Sequence, residues 1–242
     1  MSRHLKRLVA PRSWKIERKR SYWAIKPSPG PHPLEQAIPL GMILRDYLKV
    51  CDSAPEARII LGRGDVLVDG RTRKNYKFPC GFMDVISIPK MGKHYRVLFD
   101  QRGKVSLVDI PSANASWKLA RIEDKVNIKG GKIQLNLHDG RNLIAQDGYN
   151  TGGTLKISLK DQKILDYFSF KKGNLAMIIG GKHAGKLATI SEVQKVSSPL
   201  PNKIVLKADE VFSTIQPYAF VVGKQKPVIS LPAQGKHGAK DE

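Results

Sequence analysis

Apolar residues recur along this chain at two different periods. In IPLGMILRDYLKV, residues 38–50, Leu40, Ile43, Leu44, Tyr47 and Leu48 return at intervals of three and four, which places them on one face of a helix. After the break CDSAP, the run EARIILGRG predicts a second, shorter helix, with Ser53 positioned to cap it and Gly62 and Gly64 to stop it. The period then falls to two. DVLVDGRT alternates Val66 and Val68 ahead of the turn dipeptide Asp69-Gly70, and FMDVISIP reads as a further short strand. From about residue 91 only strands and tight turns remain: HYRVLFD, KVSLVDI, WKLARIED, GGKIQLNLHDG, RNLIAQDG and TLKISL, then LAMIIG, LATISEVQ, KIVLKADEVFSTI and YAFVVG.

Four of the seven residues in PSPGPHP, 27–33, are proline, so this stretch is neither helix nor central strand and reads as an extended tether between an arm and the body. The pattern divides the chain into a basic arm and tether over 1–36, a helix-bearing unit over 37–92, a central all-β unit over 93–170, a third β unit over 171–224 and a tail over 225–242. The fold class is α+β, multi-domain and mostly β.

AMIIGGKHAGKLATI, 176–190, holds Gly180, four intervening residues and then Gly185-Lys186, the first seven positions of the phosphate loop G-x-x-x-x-G-K-[ST]. Nucleotide hydrolysis there needs a hydroxyl after the lysine to hold magnesium and a helix N-terminus facing the phosphates. The next residue is Leu187, LATISEV alternates as a strand, and too little chain follows for the α/β domain such enzymes require. The stretch reads instead as a hairpin whose glycines permit positive φ, with Lys182, His183 and Lys186 at its tip.

Other candidate chemistry is equally thin. In KIQLNLHDGRN, 132–142, His138, Asp139 and Arg141 suggest acid–base work, but Asp139-Gly140 is a turn dipeptide and no serine, cysteine or second carboxylate stands at catalytic spacing. The six histidines are scattered singly, and Cys51 and Cys80 form no C-x-x-C pair, so neither a metal nor another cofactor is expected, and the thiols read as small buried apolar groups in a reducing compartment. No stretch approaches the roughly 20 apolar residues of a membrane span.

Charge gives the positive signal. Against 42 Lys and Arg stand 21 Asp and Glu, a formal net charge of +21. Such an excess repels itself in a compact fold unless a polyanion neutralises it, and nucleic acid supplies the densest phosphate array. The excess begins at the N-terminus, where Arg3, Lys6, Arg7, Arg12, Lys15, Arg18, Lys19 and Arg20 face one acid, Glu17. A mitochondrial transit peptide is also Arg-rich and acid-poor, but Trp14, Tyr22 and Trp23 interleaved with the cations and the proline tether behind them favour an RNA-binding arm. Those rings either stack on exposed bases or pack on the body.

Three resemblances sharpen this. Gly181, the basic loop, Gly185 and the return strand LATI resemble the KOW motif, which implies a small five-stranded barrel that binds RNA or docks on protein. Residues 40–88 resemble the αL RNA-binding motif: Leu44-Arg45-Asp46-Tyr47-Leu48, then Ala57-Arg58-Ile59-Ile60, then Gly64-x-Val66-x-Val68-Asp69-Gly70. In order along nearly the whole chain, HLKRLVAPRSW, KPSPGPHPLEQAIPL, LVDGRTRKNYKFPCGFMDVISIP, GGKIQLNLHDGRN and GGKHAGKLATI closely resemble the small-subunit ribosomal protein S4e family of archaea and eukaryotes. The resemblance implies a non-catalytic, cytoplasmic rRNA-binding component of the small subunit, with small-subunit rRNA and neighbouring small-subunit ribosomal proteins as partners and no small-molecule substrate.

The expected phosphate contacts are the eight arm cations named above, Arg45, Arg58, Arg63, Arg71, Arg73, Lys74 and Lys77 of the helical unit, Lys132 and Arg141 of the central unit, and Lys182, His183 and Lys186 of the hairpin. The bland alternative for Arg45 and Arg58 is surface pairing with Asp46 or Glu56. Two rivals remain: an RNA-modifying enzyme carrying an αL unit, for which no catalytic Asp or cofactor loop is present, and a KOW-bearing transcription factor, which would not need the arm.

Overall fold

Alternating runs separated by glycine-bearing turns give three antiparallel sheets of five strands each in a computed structural model that describes residues 4–208 and 210–231. Arg3 and residues 232–242 of the expected tail lie outside the described residues.

The first sheet runs in the order Arg71–Thr72, Leu67–Val68, Val85–Ile88, Lys93–Phe99, Val105–Asp109. Its opening hairpin has a two-residue loop, Val68 facing Arg71, with Asp69 at φ 52° and Gly70 at φ 74°, the left-handed pair that matches strand twist and that Asp-Gly tolerates best. The residue-92 boundary falls between two paired strands of this sheet, which continues to Asp109.

The middle sheet is built on the twelve-residue strand Trp117–Ile128. Residues 117–121 pair with Thr154–Ser158, and from Ile122 onward the strand pairs with Lys132–Leu137, with a bulge between Ile122 and Asp124. Asn142–Ala145 and Ile164–Phe168 form its edges. Ala120, Ile122, Leu135, Leu137, Leu143, Leu155 and Ile157 make a separate small core here.

The third sheet runs Val211–Ile215, Lys203–Lys207, Leu187–Gln194, Leu175–Ile178, Ala219–Gly223. Its apolar face does not stand alone. One continuous core joins Met177, Ile190, Leu206 and Phe220 of this sheet to Ile38, Leu44, Leu61, Val97 and Phe99 of the first unit. Phe82 is the joint: it stacks on Phe99 at 5.5 Å between ring centres and meets Phe220 edge-on at 4.9 Å.

The shorter helix forms over Ala54–Arg63, Ser53 Oγ accepting the Glu56 amide and Gly64 ending it at φ 83°, whereas Gly62, also expected as a stop, lies inside it. The longer helix does not. One α-turn, Leu40–Met42, runs into a π-turn over Ile43–Tyr47, with the Leu48 amide donating to the Ile43 carbonyl at 2.9 Å. Its opening amides are taken by another segment, Leu40 donating to the Phe78 carbonyl and Gly41 to that of Tyr76. A Cβ on Gly41 would sit 3.1 Å from the Tyr76 oxygen, so glycine permits this approach.

The arm is folded onto the body. Trp14 is 1% exposed, and its Nε1 donates to the Ala37 carbonyl at 2.8 Å. Val105 donates to the Ser13 carbonyl at 2.8 Å. The proline tether lies against the segment that joins Thr72 to Val85 instead of spanning a gap: Ser28 donates to the Lys77 carbonyl at 2.9 Å and His32 is buried.

Candidate nucleic-acid interface

Two of the expected arm contacts are spent inside the protein. Arg7 is buried, its Nε donating to the Glu17 carbonyl at 2.6 Å, its Nη1 to Ser21 Oγ at 3.0 Å and its Nη2 lying 3.7 Å from Asp46. Arg18 donates from its two terminal nitrogens to the carbonyls of Ala10 and Pro11 at 2.8 and 2.9 Å. A guanidinium offers donors in a fixed fork, and here the fork ties the arm's loops together. Lys6, Arg12, Lys15, Lys19 and Arg20 remain on the outside. Between the arm and the π-turn opens a cavity of about 1020 Å³ lined by Lys15, Arg18, Arg20, Arg45, Lys49 and Lys104 together with Glu17, Asp46 and Asp52.

In the helical unit, Arg45 pairs with its neighbour Asp46 at 2.9 Å, the bland outcome. Arg58 lies over the Tyr76 ring at 4.5 Å, and Arg73 over Phe78 at the same distance. Lys77 stands 5.6 Å from the Tyr76 ring centre. Stacking on aromatic rings holds a guanidinium flat while leaving its edge donors available for phosphate. Arg63, Arg71 and Lys74 are exposed beside them.

At the glycine hairpin, Gly181 and Gly185 take φ 80° and 81°. Lys182 and Lys186 are exposed, whereas His183 stacks on Phe212 at 4.1 Å. The loop is seated on the turn after Phe99: a Cβ on Gly185 would fall 1.8 Å from the Asp100 oxygen. Lys132 is exposed on the middle sheet. Cys51 and Cys80 are free and buried.

Arg141 belongs to a buried ionic cluster. Lys118 Nζ lies 2.6 Å from Asp69, 3.0 Å from Asp84 and 2.6 Å from Asp139. Arg141 bonds Asp69 at 2.6 Å and Asp139 at 3.2 Å, and His32 Nε2 stands 3.0 Å from Asp84. Burial works against the ammonium of Lys118, but three carboxylates overcome it and hold its pKa above the usual value. Burial likewise opposes charge on Asp84 and Asp139, and the cations win, so both are held below the ordinary carboxylate range. Asp69 goes up, because burial and the Asp84 charge outweigh its cationic partners. His32 loses charge preference to burial and regains more from Asp84, ending raised. The ammonium thus sits where three carboxylates and a histidine converge, and the cluster ties the tether, the first sheet and the middle sheet into one unit. Among the described residues no group of three or more His, Cys, Asp or Glu is arranged to hold a metal ion, and no helix is long and apolar enough to cross a membrane.

A family profile described as "RS4NT (NUC023) domain" matches residues 1–35, and one described as "Ribosomal family S4e" matches residues 91–164. Over 232 residues the chain is 49% identical to the "Small ribosomal subunit protein eS4" of Methanothermobacter thermautotrophicus, covering 95% of this chain and 96% of that protein. This chain belongs to the ribosomal protein S4e family. The S4e-family protein of the same name from Methanocaldococcus jannaschii is 45% identical over 240 residues, covering 95% of this chain and 97% of that one. The crystal structure of the 30S ribosomal protein S4e from Thermoplasma acidophilum aligns with a TM-score of 0.68 at 38% identity, over 78% of this chain and 96% of that chain. The mostly-β fold with few helices is therefore a family fold.

Sequence reasoning about this S4e chain missed Lys118, Asp84 and His32. Lys118 sits in WKLARIED, where strand alternation alone gives no reason to bury a lysine. Two faint signals were present: Asp69 and Asp139 each precede a glycine in a hairpin turn, and both turns point their carboxylates inward.

Proposed function

We infer that this chain is a structural constituent of the small ribosomal subunit, without catalytic activity, that holds folded rRNA through phosphate and shape contacts. The observation that carries this is the end-to-end similarity to relatives named small ribosomal subunit protein eS4. A net charge of +21 fits it. RNA helices hide their base edges in a deep groove, so a protein that grips them does so through phosphates and 2′-hydroxyls, and cations spread over several units suit that work. Two rivals, an RNA-modifying enzyme and a transcription factor, find no support among the relatives.

In finer detail, the expected unit 37–92, with its sheet continuing to Asp109, acts as an αL-type unit and 171–224 as a KOW-type barrel, with the middle sheet between them, in a cytoplasmic subunit. The exposed cations Lys6, Arg12, Lys15, Lys19, Arg20, Arg58, Arg63, Arg71, Lys74, Lys132, Lys182 and Lys186 take the phosphates, helped by Arg73 and Lys77. Neighbouring small-subunit proteins complete the surroundings. Sedimentation tests the reading: the protein should co-migrate with small subunits through a moderate-salt wash, and recovery as free protein or with polymerase would overturn it.

A further inference from the structure

The chain has three tryptophans. Trp14 and Trp117 are 1% and 7% exposed, whereas Trp23 is 51% exposed and its neighbour Tyr22 62%. The exposed pair is held in place. Trp23 faces Lys6 in a two-residue ladder, and the Arg7 amide donates to the Tyr22 carbonyl at 2.9 Å. The two rings meet edge-on at 4.7 Å, His4 packs edge-on against Trp23 at 5.3 Å, and Lys6 Nζ stands 5.4 Å from the centre of the Tyr22 ring. With Trp14 anchoring the arm in the core, the rings need little ordering when they meet a partner, which favours binding.

The surrounding charge selects that partner. Residues 4–26 carry eight Lys and Arg against one Glu. A protein partner would have to strip water from the exposed lysines Lys6, Lys15 and Lys19, and lysine is depleted at protein interfaces. An RNA strand gives phosphates to the cations that face outward, Lys6, Arg12, Lys15, Lys19 and Arg20, releases counterions, and offers flat bases to the rings. We propose that Tyr22 and Trp23 form a stacking platform for unpaired RNA bases, with Lys6, Lys19 and Arg20 on the adjoining phosphates. This rests on the reading of the chain as an rRNA binder and adds that the contact at this place is with single-stranded nucleotides.

The exposure difference supplies the probe. Full-length protein is titrated with oligoadenylate at low salt, following tryptophan emission and, separately, anisotropy of a labelled oligonucleotide. A base stacked on Trp23 quenches emission that Trp14 and Trp117 cannot report. Quenching should track the anisotropy curve, and heparin, a polyanion without bases, should bind without it. Trp23→Ala should abolish the quenching and weaken oligoadenylate binding roughly 5- to 150-fold, with the melting temperature kept because the ring is exposed. Trp23→Phe should retain most of the affinity. Binding without quenching, or unchanged affinity in Trp23→Ala, overturns the platform and leaves rRNA binding standing. Failure to bind small-subunit rRNA in the same salt range overturns the broader reading. A Trp23→Ala defect that shows only when other ribosomal proteins are present, and not on naked RNA, makes the patch a protein contact and also overturns the platform.

Discussion

The ammonium of Lys118 and the carboxylate of Asp139 meet at 2.6 Å with both side chains shut off from water. Two further aspartates share that ammonium. Removing the cation leaves three buried carboxylates with only Arg141 and His32 to balance them, a loss that exceeds the net worth of the pair itself. Lys118→Ala should therefore cost about 3–5 kcal/mol, read from the midpoint of urea unfolding. An unchanged midpoint would show that water reaches the cluster.

His138 predicts a pH effect. Its Nδ1 accepts the Arg121 amide at 3.2 Å and its Nε2 lies 3.3 Å from the Phe82 carbonyl oxygen, so a neutral ring protonated on Nε2 suits both neighbours. Desolvation, chiefly, pushes its pKa down to about 3. Unfolded chain takes up a proton near 6.5, so stability from His138 is present above that pH and lost as pH falls toward about 3, at up to about 1.4 kcal/mol per unit. His32 has the opposite sign: its raised value gives stability below 6.5 that is lost as pH rises through the folded value. His138→Gln keeps an acceptor for Arg121 without titrating. Melting temperatures of the two proteins should diverge between pH 6.5 and 4.5, with the wild type falling faster, and parallel curves would clear His138.

Salt should act steeply on rRNA binding. If about 6–10 cations neutralise phosphates, affinity falls by roughly 10³ to 10⁵ between 50 and 200 mM salt. A filter-binding series over that range measures the slope, and a nearly flat line would remove the phosphate-contact mechanism.

The glycine hairpin separates binding from stability. Lys182→Ala with Lys186→Ala removes two exposed cations and should weaken rRNA binding with little change in melting temperature, and ATP should bind neither form. Gly185→Ala acts the other way. It puts a Cβ into the Asp100 carbonyl at a backbone angle of φ 81°, so it should lower the melting temperature by several degrees, the effect of a loss of more than about 1 kcal/mol.

Much of the fold was written in local pattern. Ser53, Gly64 and the Asp69-Gly70 turn behave as their types dictate, and the expected strand runs after residue 91 form, although KIVLKADEVFSTI splits into two strands and the edge strand Ile164–Phe168 was not foreseen. The π-turn was not legible, because Ile43, Leu44 and Tyr47 lie on one face in either helix geometry, and the amides that open the segment bond to carbonyls of Tyr76 and Phe78 far along the chain. The same limit governs the interface. Arg7 and Arg12 look alike in sequence, and only the loop at Glu17 and Ser21 turns one inward. Lys118 finds Asp69 at a separation of 49 residues and Asp84 at 34, distances over which no local period carries information.

The edge-on contact between Phe82 and Phe220 also sets an order of events during synthesis. Phe82 leaves the ribosome on the order of 10 s before Phe220 at ordinary elongation rates, and until then the apolar face it shares with Phe99 has no cover from the strand Ala219–Gly223. A chain stopped near residue 200 would keep every phosphate-binding cation of the arm and hairpin yet expose that face, so nascent protein is most prone to aggregate just before its last strand arrives.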